Sequence, residues 1–434
     1  MISHSALSPA SRLTFNLYDN IVIALLFLFL PFNYAMTIRI GFPLKISEIA
    51  LILSMISIVI VMVMTLKIQG FSIKNKETIS ILLFIFVATL SCLANLKWHY
   101  SYPPKVFEAR SGYQLDSLLK LFYLYLNLAM MLLATNAFRS NRARYSKLLF
   151  QGATIAAIYT WYLAISSFYG YTPYLLPGMD AEPQKLSLSN DFSVIRCGTF
   201  KEGNYMGVFL LIAGVIAFYF KKYKKGLFFL FSIIPTFSTI AILSSLFFLV
   251  CVIFKRYFRM RYLLHLLLIL LILFSTVGIS LLSPTLRFIL VDKFIGSDGT
   301  NASYSKTDRL NSVKVSKDIT YDNPILGVGL SNYGLHYDHY NTLSMSQYEN
   351  EKPIPNNVYM ETLCETGFLG ASLFLLFIMA VYKKTKADPS GVLRYGFIAL
   401  LLCFNTFPTF SILFIWVFIG LILSLNNENT TAYS

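Results

Sequence analysis

Residues Lys221 to Arg261 read KKYKKGLFFLFSIIPTFSTIAILSSLFFLVCVIFKRYFRMR, and how this stretch crosses a membrane decides the topology of the whole chain. Residues 226–254 carry no charge. They are too many for one comfortable crossing, which takes about 20 residues, and few for two. The flanks settle the count. Lys221, Lys222, Lys224 and Lys225 stand before the stretch, and Lys255, Arg256, Arg259 and Arg261 at its end. Short basic loops stay on the cytoplasmic side, so both flanks share a side and the number of crossings is even. Two short helices broken near Pro235–Ser238 satisfy this, because proline and small polar residues are tolerated where neighbouring helices cover the backbone. A re-entrant hairpin is the alternative.

The same logic extends in both directions. Of 434 residues, 56% are hydrophobic and 13% charged, where a soluble domain carries about a quarter charged; the mean hydropathy is +0.62. Apolar runs predict spans at about 21–38, 46–66, 78–95, 116–138, 148–170, 203–220, 226–239, 240–254, 262–282, 357–382, 391–407 and 409–425. The chain therefore reads as an all-α polytopic membrane protein of about 12 transmembrane helices, with both termini cytoplasmic. Residues 1–282 hold spans one to nine, 283–356 form a large outward loop, and 357–434 hold the last three spans. The first run lacks a small-residue cleavage site and reads as a span rather than a removable signal.

The net charge of +15 does not point to nucleic acid. Its excess sits in short segments between apolar runs, such as Arg139, Arg142, Arg144 and Lys147, or Lys383, Lys384 and Lys386, which is the pattern of cytoplasmic loops. The 283–356 loop carries seven Lys/Arg and eight Asp/Glu, a net charge of −1. A polar loop this long is usually functional or disordered. Its apolar spacing around Thr307–Ile319 predicts amphipathic helix, and the loop reads as an ordered cap. The five cysteines are scattered, with neither disulfide nor metal spacing.

Three segments on the outward side carry the chemistry. Arg196-Cys197-Gly198-Thr199-Phe200-Lys201-Glu202-Gly203-Asn204-Tyr205 precedes the sixth span. Thr307-Asp308-Arg309-Leu310 is followed by the turn Asn323-Pro324-Ile325-Leu326-Gly327-Val328-Gly329 and on to Tyr333. Asn356-Asn357 then leads, nine residues later, to Gly367-Phe368-Leu369-Gly370 at the opening of the tenth span.

In this order and topology the segments resemble the O-antigen ligase and O-antigen polymerase superfamily of bacterial envelope enzymes. The resemblance covers about 190–385 by motif, and the whole chain by span count and loop placement. It implies a GT-C-like membrane fold in the inner membrane. It implies glycosyl transfer from a polyprenyl-pyrophosphate-linked oligosaccharide to an acceptor hydroxyl on the outer face, without cofactor or metal. Arg196 and Arg309 match the family's two arginines and are expected to clamp the pyrophosphate, whose charge suits a rigid guanidinium fork.

The chain departs from the family at Asn356, where the family carries a histidine. An amide is not a base near neutral pH, so another group would take the proton. Glu361, Glu202, His336 and His339 are the candidates, with Asn356 and Asn357 orienting the acceptor. Asn357, Glu361 and Glu365 fall on one helical face. Asn356 also suits a helix cap after Pro355, and Glu361 a response to the helix dipole. Gly327 and Gly329 are expected in a tight turn, and Gly367 and Gly370 at a close helix contact. The missing histidine favours a polymerase of lipid-linked repeat units (O-antigen, capsule or exopolysaccharide) over a ligase that moves polymer to a lipid A core. A lipid-linked oligosaccharide transporter or flippase is the reading from another class. Membrane lipid and a chain-length regulator are candidate partners; nucleic acid is not.

Overall fold

The structure, a computed structural model, describes residues 21–40, 42–65, 75–96, 113–179, 182–189, 192–257, 301–341 and 353–425. The span expected at 262–282 lies outside them. Helix α1 covers 21–29. A hairpin of β1 (Thr37–Ile40) and β2 (Phe42–Lys45) follows, then α2 (Ile46–Thr65), α3 (Lys76–Asn95) and α4 (Tyr113–Phe168). A second hairpin, β3 (Lys185–Ser189) with β4 (Phe192–Ile195), leads into α5 (Gly203–Tyr219), α6 (Tyr223–Phe231) and α7 (Thr239–Tyr257). After the gap come α8 (Asn301–Asp322), α9 (Tyr333–Tyr340), α10 (Val358–Lys384), α11 (Val392–Cys403) and α12 (Leu413–Leu423).

The reading as a helical membrane protein holds, with corrections. Three helices are long and apolar enough to cross a membrane by length and composition: Lys76–Asn95, Asp116–Phe168 and Val358–Ala387. Shorter apolar helices include Gly203–Tyr219, Thr239–Lys255 and Leu413–Leu423. The fold is not purely helical, since two antiparallel hairpins stand between helices. The first run also stops short of 38. Its helix ends at 29, and Thr37 already pairs with Lys45 in the hairpin. The spans expected at 116–138 and 148–170 form one long helix broken at Asn141, whose φ of −153° and ψ of 81° leave the helical region. The Asn141 side chain accepts from Arg144 N at 3.0 Å and so caps the second half.

The deciding stretch does return on itself. Gly203, at the start of α5, has no room for a β-carbon, which would sit 2.5 Å from the carbonyl oxygen of Thr236. That contact fixes the tip of the α6–α7 connection, with its 3₁₀ turn Ile234–Thr236, beside the start of α5. Tyr223 meets Phe218 at the far end of α5, ring centroids 5.6 Å apart. The segment from Tyr223 to Thr236 therefore runs the length of α5, and α7 runs back.

The bundle has two chemically distinct ends. At one, basic side chains cover carbonyls that the helices leave open: Arg142 Nη2 donates to Ser424 O at 2.9 Å, Arg139 Nη2 to Leu423 O at 3.2 Å and Lys255 Nζ to Pro389 O at 2.6 Å. Cations at helix C-termini satisfy those groups and answer the dipole. The opposite end carries the second hairpin, the starts of α5 and α10, and the α8–α9 cap. Between the ends lies one continuous apolar core built around Phe209, Phe377, Phe397, Phe407 and Trp416.

Candidate active site

The second hairpin sets Arg196 in place. Its backbone N–H donates to Gln184 O at 3.1 Å, and the Gln184 side chain accepts from Gly203 N at 2.9 Å. The strands, the arginine and the start of α5 are thus tied together. Arg196 Nη2 donates to Asn204 Oδ1 at 3.1 Å, while its Nε is buried and has no hydrogen-bond partner among the described residues. Burial pushes the guanidinium below its ordinary value; the charge of Glu202 pulls it back up and that of Arg309 pushes it further down. Arg309 stands on α8, far away in sequence. The fold brings both arginines and Glu202 within electrostatic reach of one another. Two cations held this close repel, and an anion between them relieves both.

The cap is fastened by its backbone. Gly367 breaks α10 with φ 66° and ψ −174°, a conformation essentially confined to glycine. The break opens four backbone groups, and the turn at 324–329 takes them up. Val328 N donates to Cys364 O and Gly329 N to Glu365 O, both at 3.0 Å; Phe368 N donates to Pro324 O at 2.8 Å and Leu369 N to Ile325 O at 3.4 Å. Gly327 and Gly329, both at positive φ, make the turn that reaches in. Ser91 on α3 closes the joint, 2.5 Å from Leu326 O and 2.8 Å from Glu365 O. Two motifs that look separate in the sequence are the two halves of one interlock. Gly367 faces this turn rather than another helix, and a β-carbon on Gly370 would meet the Thr366 side chain of its own helix.

One turn before the break stands a charge cluster that the sequence reading missed. Lys120 on α4 donates to Glu361 Oε1 and to Glu365 Oε2, both at 2.6 Å. The two carboxylates are 3% and 2% exposed. Glu361 Oε2 is buried without a hydrogen-bond partner. The signal was present: a lysine just inside an apolar run is costly unless something pairs with it. Tyr205, on α5, joins this cluster to the first. Its hydroxyl lies within electrostatic reach of Glu202 and Glu361, and its ring packs 5.0 Å from Phe407.

The other expected residues divide. The helix cap is Asn357 and not Asn356: the Asn357 side chain accepts from Tyr359 N at 2.9 Å and Met360 N at 3.1 Å, and donates to Asn405 O at 3.1 Å. Asn356 is half-buried at the same corner and makes no side-chain hydrogen bond among the described residues. Glu361 answers Lys120 rather than the helix dipole alone. His336 is buried on α9, where burial, with His339 adding to it, pushes its pKa down to about 4. It is neutral at neutral pH and a weak base. His339 is exposed, its ring 4.7 Å from Tyr340. Among the described residues no three His, Cys, Asp or Glu side chains gather as metal ligands.

Compared with known families, residues 225–375 match the model of the O-antigen ligase family. The match takes in Arg309, the 324–329 turn, Glu361, Glu365 and the Gly367 break; Arg196 and Glu202 lie before it. The resemblance read from the sequence holds over that stretch and supports a membrane enzyme of the O-antigen ligase and polymerase kind. No curated protein matches the chain.

Proposed function

With that family resemblance as the premise, we propose that the chain polymerises lipid-linked oligosaccharide repeat units at the outer face of the cytoplasmic membrane. A hydroxyl of one unit attacks the anomeric carbon of another. The bond from that carbon to the polyprenyl pyrophosphate breaks, and the leaving group departs with the electron pair. Arg196 and Arg309 hold the departing pyrophosphate, which matches their geometry and relieves their repulsion. Glu202 and Glu361 are the carboxylates placed to receive the hydroxyl proton, with Asn356 orienting the acceptor.

The observation that carries this reading is the meeting of Arg196, Arg309 and Glu202 at the end of the bundle opposite the basic helix ends. The printed description of the matching family, O-antigen ligase, favours the second reading, transfer of finished polymer to a lipid A core. Deleting the gene in the producing strain separates the two. Core bearing a single repeat unit, with no ladder, means polymerase. Bare core with polymer left on the polyprenyl lipid means ligase. Unchanged O-antigen, capsule and exopolysaccharide would reject both.

A further inference from the structure

A cavity of about 240 Å³ opens beside the hairpin that carries Arg196. Its walls come from the end of α4, the loop after it and both strands. Ser167, Thr172, Lys185 and Ser193 supply hydroxyls and an ammonium; Tyr171 and Pro173 supply flat apolar faces. Its volume falls below the roughly 300 Å³ at which drug-sized pockets begin and is on the scale of a small ring.

The loop wall is rigid without regular structure. Tyr162 Oη accepts from Tyr174 N at 2.8 Å. Tyr159 Oη donates to Tyr174 O and accepts from Leu176 N, both at 3.1 Å. Ser167 Oγ accepts from Ile195 N at 2.9 Å and ties the hairpin to the helix. On this fixed backbone Tyr169, Tyr171 and Tyr174 are 69%, 72% and 70% exposed. Aromatic faces held open beside hydroxyls and an ammonium suit a ligand with an apolar C–H face and a polar rim.

We propose that this cavity is a saccharide subsite, holding a sugar of the lipid-linked repeat unit beside the pyrophosphate clamp. The proposal rests on the reading of the chain as a glycosyl-transferring enzyme. The placement supports it: Ile195 lines the cavity, the next residue is Arg196, and Gln184, between the lining residues Pro183 and Lys185, accepts the Arg196 N–H. A sugar bonded to the pyrophosphate would start where the arginine ends. The cavity also lies before the 225–375 stretch shared with the family, in the part of the chain free to differ with the sugar.

The test uses the full-length protein in lipid nanodiscs. The probe is one repeat unit, released without its lipid by mild acid from the producing strain's own polysaccharide. Saturation-transfer NMR should show binding to the native protein. Tyr171→Ala and Lys185→Ala should each weaken it roughly fivefold, the loss of one ring or charge contact. Arg196→Ala should keep it, because the probe has no pyrophosphate. No binding to the native protein, or equal binding by both subsite variants, overturns the proposal. Unchanged affinity with a lower melting temperature in the Tyr171→Ala variant would make the tyrosines anchors at the lipid interface, which also overturns it. If Arg196→Ala leaves the strain's polymer intact while the probe still binds, the clamp has failed and the subsite stands.

Discussion

Arg196 and Arg309 meet at the loop end of the bundle as two cations, whereas Lys120, Glu361 and Glu365, at the same end, meet as one cation between two anions. The second cluster is nearly complete in itself. Each carboxylate has its 2.6 Å partner, and only Glu361 Oε2 is left over. The first is not complete: burial and mutual repulsion both work against its charges, and Arg196 Nε has no partner among the described residues. A paired buried cluster holds helices together, while like charges brought together inside a fold imply something that binds between them. The difference separates a fastening from a site.

The largest expected effect tests the site. Arg196→Ala and Arg309→Ala should each lower polymer formation roughly a hundredfold or more, the size of loss seen when a donor to developing charge is removed. Both variants should insert and melt as the native protein does, because removing either cation relieves the other. Arg→Lys should also be poor, since a point charge cannot replace the fork. Normal polymer from the Ala variants, read on a gel of surface polysaccharide, would erase the contrast between the clusters.

The fastening should fail in the opposite way. Lys120→Met leaves two buried carboxylates without a cation, which costs on the order of 3–5 kcal/mol and should show as a large fall in melting temperature. Adding Glu361→Gln and Glu365→Gln should restore much of that stability, because the cost lies in uncompensated charge. If the triple variant is stable but inactive, Glu361 is needed for more than packing. If Lys120→Met alone melts like the native protein, the cluster is not a fastening.

The backbone interlock comes next. Gly367→Ala forces a side chain into a glycine-only conformation, at about 1–3 kcal/mol, and drives its β-carbon into the Ile325 carbonyl. The cap should loosen as a unit. Hydrogen exchange at Val328 and Gly329, whose N–H groups are held by Cys364 and Glu365, is the direct measurement, and unchanged protection there would show that α10 does not need its break.

How much of this was legible follows from the kind of signal each feature leaves. Spans write themselves as apolar runs, and the two basic flanks of 226–254 fixed the return of α6 and α7. Arg196 and Arg309 were found because each stands in a motif, and the order of motifs survives the long separation between them. The interlock stayed hidden although both glycine motifs were noticed. A helix break and a turn that fills it share backbone hydrogen bonds, which have no residue code. Lys120 was missed for another reason. It belongs to no motif, and only its cost in an apolar run would have marked it. The hairpins are short and stand in polar connections, where neither periodicity had room to show.

The smallest effect sharpens the comparison at one corner of the site. Asn356 and Asn357 are neighbours of the same type, and sequence alone could not say which caps the helix. Asn357 accepts from two backbone N–H groups and anchors to Asn405. Asn357→Ala should therefore cost about 1 kcal/mol of stability, the usual price of a lost cap. It should leave the per-molecule activity largely intact. Asn356 makes no such bonds, and it stands where the family places its histidine. Asn356→Ala should leave the melting temperature unchanged and lower activity if the amide orients the acceptor. Asn356→His is the more telling variant, because it returns a base near neutral pH to that corner. If the acceptor hydroxyl sits there, Asn356→His should recover activity in a Glu361→Gln background, with a pH profile that follows an imidazole. No recovery, with Asn356→Ala as active as the native protein, would take the acceptor away from this corner and leave Glu202, beside Arg196, as the carboxylate next to the reacting bond.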